Sequence, residues 1–550
     1  MAKLSVAAPR YTDVVRSLEN HDLLPAIIFI SSRKGCDEAA ESFRNPAMPD
    51  LSSAQRERLT REIEAFPSAD RDFVFNHRHY QLLLRKGVAA HHAGHLPAWK
   101  HTVERLMSRG LLRAVFATTT LAAGIDMPAR SVVITASSLR DDEGHRDLKA
   151  FELAQMTGRA GRRGKDKVGF AIFVPGPFQD INLILDLLAK ESEPIESQFA
   201  ANYTMVLNLL QQHRPEEARH LLEKSFSQYQ RLKQLAKVRP HYERLLREQE
   251  QDKIGRPCQD RIQTWANFHK TEEELARTSK AIKSIKRKIK HALAYGQSVT
   301  DSELPAKLQS LTNRNDRLRK ELAELPCRRC PQVGYCGSVV AMRQSQQQEI
   351  VRLESVLRDL EHGLWERFED CARLLQWFDY LDEEWQPNSN GIWAAKLRVE
   401  NALFIAELVR ADYFATTDPR SLAALAGALA AGDREIEVEY QEGEEAIFLQ
   451  FKRAVKIAQR IAQQQDRAGL FFPIILDGDA ARLLWLWADT SVHWKDMLDQ
   501  VYADEGDLVR LMLRTADLLG QLIGLQQTHP QLAATASQAL ALIRRAPIEE

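Results

Sequence analysis

The sequence of 550 residues has few cysteines, no excess of charge of either sign and no long hydrophobic run. Six cysteines in a chain of this length exclude a disulfide-stapled secreted fold. Because 75 basic residues face 75 acidic ones, any nucleic-acid site must be a local patch. The chain has no run of ~20 apolar residues, the length that a membrane helix needs. Its amino terminus also lacks the basic and apolar regions of a signal peptide. We therefore expect a cytoplasmic protein with no membrane partner.

The chain nevertheless has ample apolar content for several packed domains. Hydrophobic residues make up 44% of it, and its length suggests roughly three or four domains. Apolar runs at 26–30, 88–90, 111–116 and 131–135 are each followed by a polar or helical segment. Strands that alternate with helices predict an α/β domain with a parallel sheet, whose functional loops gather at the carboxyl ends of the strands.

The segment 155–164, Gln-Met-Thr-Gly-Arg-Ala-Gly-Arg-Arg-Gly, carries the most chemistry. It spaces Arg159 and Arg162 three residues apart between glycines. Two guanidinium groups at this spacing can each form bidentate hydrogen bonds to a γ-phosphoryl group and stabilise its charge during transfer. Gly158 and Gly161 permit a close backbone approach to an anion. Gly/Arg-rich turns also occur as solvated loops or as general RNA contacts, so the segment alone leaves both alternatives open.

Four segments in order resemble motifs of superfamily 2 helicases, and among these the Ski-type (superkiller, antiviral-helicase) DExH-box RNA helicases. They are 29–36 as motif IV, the His-His-Ala-Gly segment 91–94, 118–128 as motif V and 155–162 as motif VI. The resemblance implies that residues 1–180 form the second RecA-like domain of such an enzyme, a helicase carboxyl-terminal domain.

The same resemblance implies roles for single residues. Arg159 and Arg162 would face the γ-phosphate, with Gln155 and Gly158 in the same ATP cleft. Gly124 and Asp126 would couple the nucleotide to the nucleic acid. Hydroxyl and guanidinium groups suit phosphate oxygens, which position a strand without reading its sequence. The residues expected to contact nucleic acid are Thr118, Thr120, Arg33, Arg510 and Arg514.

After residue 180 the pattern turns helical. The resemblance implies a winged-helix-like region at 181–235, a helical insert at 236–382 and a helical DSHCT domain at 383–550. In the insert, apolar residues spaced by three or four from Leu353 to Phe378 predict one buried stripe. In the last domain Arg510 and Arg514 share a helix face. Salt bridges to neighbouring acids are the alternative role for these two arginines.

Four cysteines of the insert form a further candidate site. Cys327, Cys330 and Cys336 follow a Cys-x2-Cys-x5-Cys spacing, and Cys258 lies upstream. Four thiolates could hold a structural Zn²⁺ or an iron–sulfur cluster. The alternative is that all four are reduced thiols without a ligand.

The sequence also lacks two parts that ATP hydrolysis of this type requires. It has no glycine-rich loop ending in Gly-Lys-Ser/Thr, and no acidic box on a preceding strand to hold Mg²⁺. The letters Asp142-Glu143-Gly144-His145 match DExH, but they stand between motifs V and VI in a charged segment, 140–149, which we expect to be a loop.

We therefore expect an ATP-dependent RNA helicase that acts on single-stranded RNA and needs its first RecA-like domain from a separate chain; the alternative is that the sequence is a carboxyl-terminal piece of a longer protein. Alone, this chain should be inactive. The alternatives are a non-catalytic RNA-binding or scaffolding protein and a DNA repair helicase.

Overall fold

A computed structural model describes residues 8–46, 48–122, 127–141, 144–190, 194–251, 261–294, 303–331, 333–415, 417–432, 436–439 and 445–548. The chain divides into two compact units. The first comprises Met1–Glu196, Ala201–Pro215 and Phe368–Glu550, and the second comprises Ser197–Ala200 and Glu216–Arg367.

The first unit contains a sheet of five parallel strands, as predicted. They are β1 (Ala26–Phe29), β2 (Val88–His91), β3 (Ala114–Ala117), β4 (Ser131–Ile134) and β7 (Phe170–Phe173), in the order β2-β3-β1-β4-β7. Ile28 pairs with Phe116 on one side and Val133 on the other. The strands β1 to β4 are continuous apolar runs because helices cover both faces of the sheet.

Residues 138–147 differ from the prediction. The expected charged loop is an antiparallel hairpin of β5 (Ser138–Asp141) and β6 (Gly144–Asp147), in which Leu139 pairs with Arg146. Leu139 packs against the core of the sheet domain. A single apolar residue creates no alternating pattern, so the sequence carried no strand signal here.

The first 212 residues contain nine α-helices in the part of the chain that the structure describes. They are α1 (Tyr11–Asn20), α2 (Arg33–Glu41), α3 (Ser53–Glu64), α4 (Ser68–Asn76), α5 (Tyr80–Lys86), α6 (Pro97–Ser108), α7 (Ala150–Thr157), α8 (Ile181–Ala189) and α9 (Tyr203–Gln212). Two 3₁₀ turns, Ser42–Arg44 and Thr119–Ala122, extend this set.

The second unit is built from long helices, as predicted. They are α10 (Pro215–Glu223), α11 (Phe226–Gln251), α12 (Arg261–Ala294), α13 (Glu303–Glu324) and α14 (Val333–Trp377), with a 3₁₀ turn at Pro326–Arg329. Arg231 is bonded to Asp359, and Leu245 packs with Ile350, so α11 and α14 run antiparallel. The predicted stripe from Leu353 to Phe378 is buried along its length.

The carboxyl-terminal part of the first unit is helical. Its helices are α15 (Ser389–Ala394), α16 (Ala402–Arg410), α17 (Pro419–Ala430), α18 (Glu445–Arg467), α19 (Gly478–Trp487), α20 (Trp494–Leu498), α21 (Glu505–Ile523) and α22 (Pro530–Ile543). A short pair, β8 (Glu437–Val438) with β9 (Val501–Tyr502), joins them. None of the described helices of the whole chain is both long and apolar enough to cross a membrane.

Small residues set the packing of these helices. The central helix α17 presents mainly alanines, and a Cβ at Gly427 would lie 2.7 Å from the Leu484 side chain of α19. Close approach between these helices therefore depends on the absence of a side chain at Gly427. At the end of α19, the Trp487 indole donates a hydrogen bond of 2.9 Å to the carbonyl oxygen of Ile543.

Two glycines join the sheet domain to the helical domain. The backbone N–H of Gly506, in the first turn of α21, donates to the carbonyl oxygen of Gly94 at 2.9 Å. A Cβ at Gly506 would lie 2.1 Å from the carbonyl oxygen of Ala93, and one at Gly94 would lie 2.4 Å from Asp504 Oδ2. The contact is thus one of backbone against backbone, which only glycine allows.

We expect Gly506→Ala to weaken this contact, because the new methyl group would overlap a backbone atom that cannot rotate away. Overpacking of this kind costs about 1–3 kcal/mol. The measurement is urea unfolding followed by circular dichroism and tryptophan fluorescence.

The matched control is Gly520→Ala on the same helix, where a Cβ would meet no atom within 4 Å. Alanine is favoured over glycine in a helix by roughly 0.5–1 kcal/mol, so this variant should be as stable as the parent or more so. Equal unfolding curves for the two variants would contradict the close contact at Gly506.

Candidate nucleotide and nucleic-acid site

Motif IV leads from β1 into α2. Ser32 caps the helix, since its hydroxyl accepts the N–H of Gly35 at 3.0 Å. Arg33 follows directly, and its guanidinium group donates to Asp504 Oδ2 at 2.8 Å and to Asp507 Oδ1 at 3.2 Å. The residue that we predicted to contact nucleic acid is therefore paired with two carboxylates of the helical domain.

Motif V connects the carboxyl end of β3 with the amino end of β4. Thr118 follows the carboxyl end of β3, and Thr120 lies in the 3₁₀ turn after it. Ala129 precedes the amino end of β4. Because β3 and β4 are parallel strands of four residues, the segment must return over about 13 Å. The predicted Gly124 and Asp126 lie outside the described residues.

Motif VI is bonded to the end of this crossing. The N–H of Ala129 donates to the Arg159 carbonyl oxygen at 2.9 Å, and the N–H of Gly161 donates to the Ala129 carbonyl oxygen at 2.7 Å. Gly161 has a φ of 93°, a conformation that favours glycine. Gln155 and Gly158 are exposed on the same segment, and Arg159 is partly exposed.

The position of motif VI corrects one prediction. We expected the functional loops at the carboxyl ends of the strands, and those of motif IV and the His-His-Ala-Gly segment are there. Motif VI instead lies at the amino ends of β4 and β7, beside Ala129 and Gly169. The reason is that α7 runs back along the sheet, so the loop after it emerges at the opposite edge.

Asp166 forms a salt bridge with Arg162, one of the two predicted arginines. Its carboxylate accepts from Arg162 Nε at 2.8 Å and from Arg162 Nη2 at 2.9 Å, and also from the Arg162 backbone N–H at 3.0 Å. Donation from Arg162 lowers the pKa of Asp166 to about 2. This side-on pairing does not occupy Nη1. We did not predict Asp166, although its spacing of four residues from Arg162 was a signal.

A group of cations lies where α6 faces α21. Burial lowers the pKa of Lys100; Glu104 opposes this effect, and the charges of Arg510 and Arg33 add to it. Arg510 is half exposed, and its Nη1 is 3.7 Å from Asp507 Oδ1. The salt-bridge alternative for Arg510 therefore has a geometric basis. Lys100 was missed because nothing in the sequence links α6 to α21.

Arg514 lies one turn further along α21, close to the backbone of Gly432, where a Cβ would be 2.3 Å from Nη1. Another face of α21 borders an open cavity of about 840 Å³. The cavity carries three basic side chains, Lys396, Arg398 and Arg544. It is also lined by Asn208, Gln211, Ile392, Ala395, Leu513, Ala516, Asp517, Gly520, Gln521 and Leu540.

The predicted cysteine site belongs to the second unit. Cys327 lies in the 3₁₀ turn, and the N–H of Cys330 donates to its carbonyl oxygen at 3.3 Å. Cys336 is in α14, but its side chain and the whole of Cys258 lie outside the described residues. The four-cysteine site remains a prediction.

Comparisons with known proteins agree with this architecture. Residues 384–550 match the model of the DSHCT (NUC185) domain. A probable helicase, HelY, of Mycobacterium tuberculosis is 41% identical over 225 residues, which are 40% of this chain and 25% of the relative. The human exosome RNA helicase MTR4 is 32% identical over 311 residues, 55% of this chain and 28% of the relative.

The mouse superkiller complex protein 2 is 37% identical over 203 residues, 36% of this chain and 16% of the relative. The matched residues thus make up between 16% and 28% of the length of these three relatives. Together with the parallel sheet, they lead to one conclusion: the chain contains a DSHCT domain and is similar to the carboxyl-terminal region of Ski-type superfamily 2 DExH-box helicases.

Proposed function

We propose that this chain forms one wall of the ATP site and part of the strand channel of an ATP-dependent RNA helicase. The observation that carries the proposal is the pairing of motif VI with Ala129, the residue that directly follows motif V. A loop that senses the γ-phosphate, at the amino ends of the strands, is thereby bonded to a segment that begins at Thr118, at their carboxyl ends.

In this proposal Arg159 and Arg162 stabilise the charge that spreads over the γ-phosphoryl group during its transfer. Asp166 positions Arg162 from the side, which leaves Nη1 to meet a phosphate oxygen. Gln155 and Gly158 border the same cleft. The phosphate loop and the acids that hold Mg²⁺ would come from a first RecA-like domain outside these 550 residues, on a separate chain or in a longer polypeptide.

Single-stranded RNA would bind along the carboxyl ends of the strands and α21. Thr118 and Thr120 offer hydroxyl groups, and Lys100, Arg510 and Arg514 offer positive charge. Contacts of these kinds hold the phosphate backbone without reading the bases. Arg33 acts differently from our first expectation: its two carboxylate partners make it a clamp between the domains. The similarity to the human exosome RNA helicase MTR4 favours RNA as the substrate.

We expect the purified chain to show no RNA-stimulated ATP hydrolysis alone, because no Gly-Lys-Ser/Thr phosphate loop is present in its sequence. Addition of a chain that carries the phosphate loop and the DExH box should restore hydrolysis. The measurement is phosphate release with and without single-stranded RNA. Hydrolysis by the chain alone that disappears in Arg162→Ala would refute the requirement for a second domain. RNA binding without hydrolysis in either case would favour a scaffolding role.

In the complemented enzyme, Arg162→Ala should lower kcat about 10³-fold or more, the range observed when an arginine finger is removed. The KM for ATP should change far less, because the arginine acts mainly on the transition state. Asp166→Asn should cause a smaller loss of kcat, since it frees the guanidinium group without removing it.

The control for these variants is Arg163→Ala. Arg163 is the exposed neighbour of Arg162, so its loss should leave kcat near the parent value. A loss of equal size in Arg163→Ala would show that the effect reflects general charge and not a positioned group.

We expect Arg510→Ala and Arg514→Ala each to weaken binding of single-stranded RNA about equally for all sequences. Each should also reduce the slope of log K against log salt concentration by about one. The measurement is fluorescence anisotropy at several salt concentrations. Arg56→Ala, on the exposed face of α3, is the control and should leave the slope unchanged.

The same titrations with DNA of equal sequence distinguish the substrates, because only RNA carries the 2′-hydroxyl group. Tighter binding of DNA, together with unwinding of a DNA duplex by the complemented enzyme, would favour a DNA repair helicase.

A further inference from the structure

A cluster of histidines lies inside the sheet domain, apart from motifs V and VI. His77 and His79 stand between α4 and α5, and His92 and His95 follow β2. The carboxylate of Asp37, on α2, faces them: its Oδ1 is 3.1 Å from His92 Nε2 and 3.2 Å from His95 Nε2. His79, His92 and His95 are buried, and His77 is half-buried.

These side chains form two groups, each within the reach of one ion; the groups share His95, and His79 Nδ1 of the first lies 3.8 Å from Asp37 Oδ1 of the second. One nitrogen each of His77, His79 and His95 lie within 4.8 Å of one another, and the same holds for Asp37, His92 and His95. The rings of His77 and His95 are 4.9 Å apart, and His77 is stacked on Trp99 at 3.6 Å. Imidazole nitrogens bind zinc at about 2.0–2.1 Å.

Two ring nitrogens of this cluster, Nδ1 of His79 and Nδ1 of His95, are buried without a hydrogen-bond partner. The other polar atoms face a partner: Asp37 Oδ1 lies next to Nε2 of His92 and of His95, and His79 Nε2 lies 3.3 Å from Glu41 Oε1. A buried polar group without a partner destabilises a fold. Such a group in a native protein calls for an explanation, and a bound ion is one.

We propose that His77, His79 and His95, together with the carboxylate of Asp37, form a binding site for Zn²⁺. Three imidazoles and a carboxylate are ligands that zinc accepts in tetrahedral geometry. His77 Nδ1 accepts the backbone N–H of His79 at 3.2 Å, a long bond that coordination through this atom would replace. His92 Nδ1 accepts the N–H of Gly94 at 3.1 Å, so His92 carries its proton on Nε2 and orients Asp37 from outside.

The site would be structural. Four protein ligands fill a tetrahedral zinc ion and leave no open position for a substrate. The ligands come from α2, from the connection between α4 and α5, and from the loop that carries Gly94. Zinc would thus tie three segments of the sheet domain together next to the glycine contact with α21. The inference does not depend on the proposed helicase function.

The test uses the full chain, freed of metal with a chelator and then titrated with Zn²⁺. Bound zinc is counted by mass spectrometry after desalting, and Tm is measured with and without zinc. The parent for all variants is Cys327→Ser/Cys330→Ser, which removes zinc binding by the cysteine pair. We expect one zinc per chain in this parent, a higher Tm with zinc, and the visible absorption of tetrahedral Co²⁺ when cobalt replaces zinc.

The double variant His79→Gln/His95→Gln keeps the rings' approximate volume and polarity but removes two ligands. It should bind no zinc and show no rise in Tm on zinc addition, while circular dichroism reports whether it is folded. His101→Gln, an exposed histidine of α6, is the control and should keep both properties. Zinc bound equally by the double variant, or a parent that binds none, would overturn the proposal.

Discussion

The short bridge between Ala129 and Ala160 is the constraint on which the proposed coupling depends. It bonds the arginine loop to a segment that has just crossed the sheet from the end of β3. Parallel strands make this crossing necessary, because every connection between them must return to the starting edge. Most connections in this sheet return through a helix, whereas motif V returns with only a 3₁₀ turn among its described residues.

The two ends of the parallel strands consequently have different surroundings. The carboxyl ends carry the loops of motif IV and of the His-His-Ala-Gly segment, and α21 docks there through Gly506 and Gly94. The amino ends carry motif VI, where Asp166 orients Arg162. A displacement at the amino ends has a covalent and hydrogen-bonded route to the carboxyl ends. That route is what a motor needs if hydrolysis of a nucleotide is to move a strand.

Much of the fold was predictable from local patterns. Apolar runs predicted the strands β1 to β4, since strands buried on both faces need apolar residues throughout. The three- and four-residue spacing from Leu353 to Phe378 predicted the buried stripe of α14. The hairpin at 138–147 was missed, because its strands carry charged residues and, among their described side chains, Leu139 is the one that packs against the core. Lys100 was missed as well, because its neighbour Arg510 lies 410 positions away in the sequence.

The sequence by itself determined which chemistry is present: an arginine pair between glycines, hydroxyls after a strand, and basic residues on one helix. It could do so because spacing along a single element decides which side chains share a face. Only the tertiary structure decided which groups meet. Arg33 meets Asp504 and Asp507, and three histidines from two separate segments face Asp37. Such encounters depend on how distant elements pack, and no local pattern of residues records that.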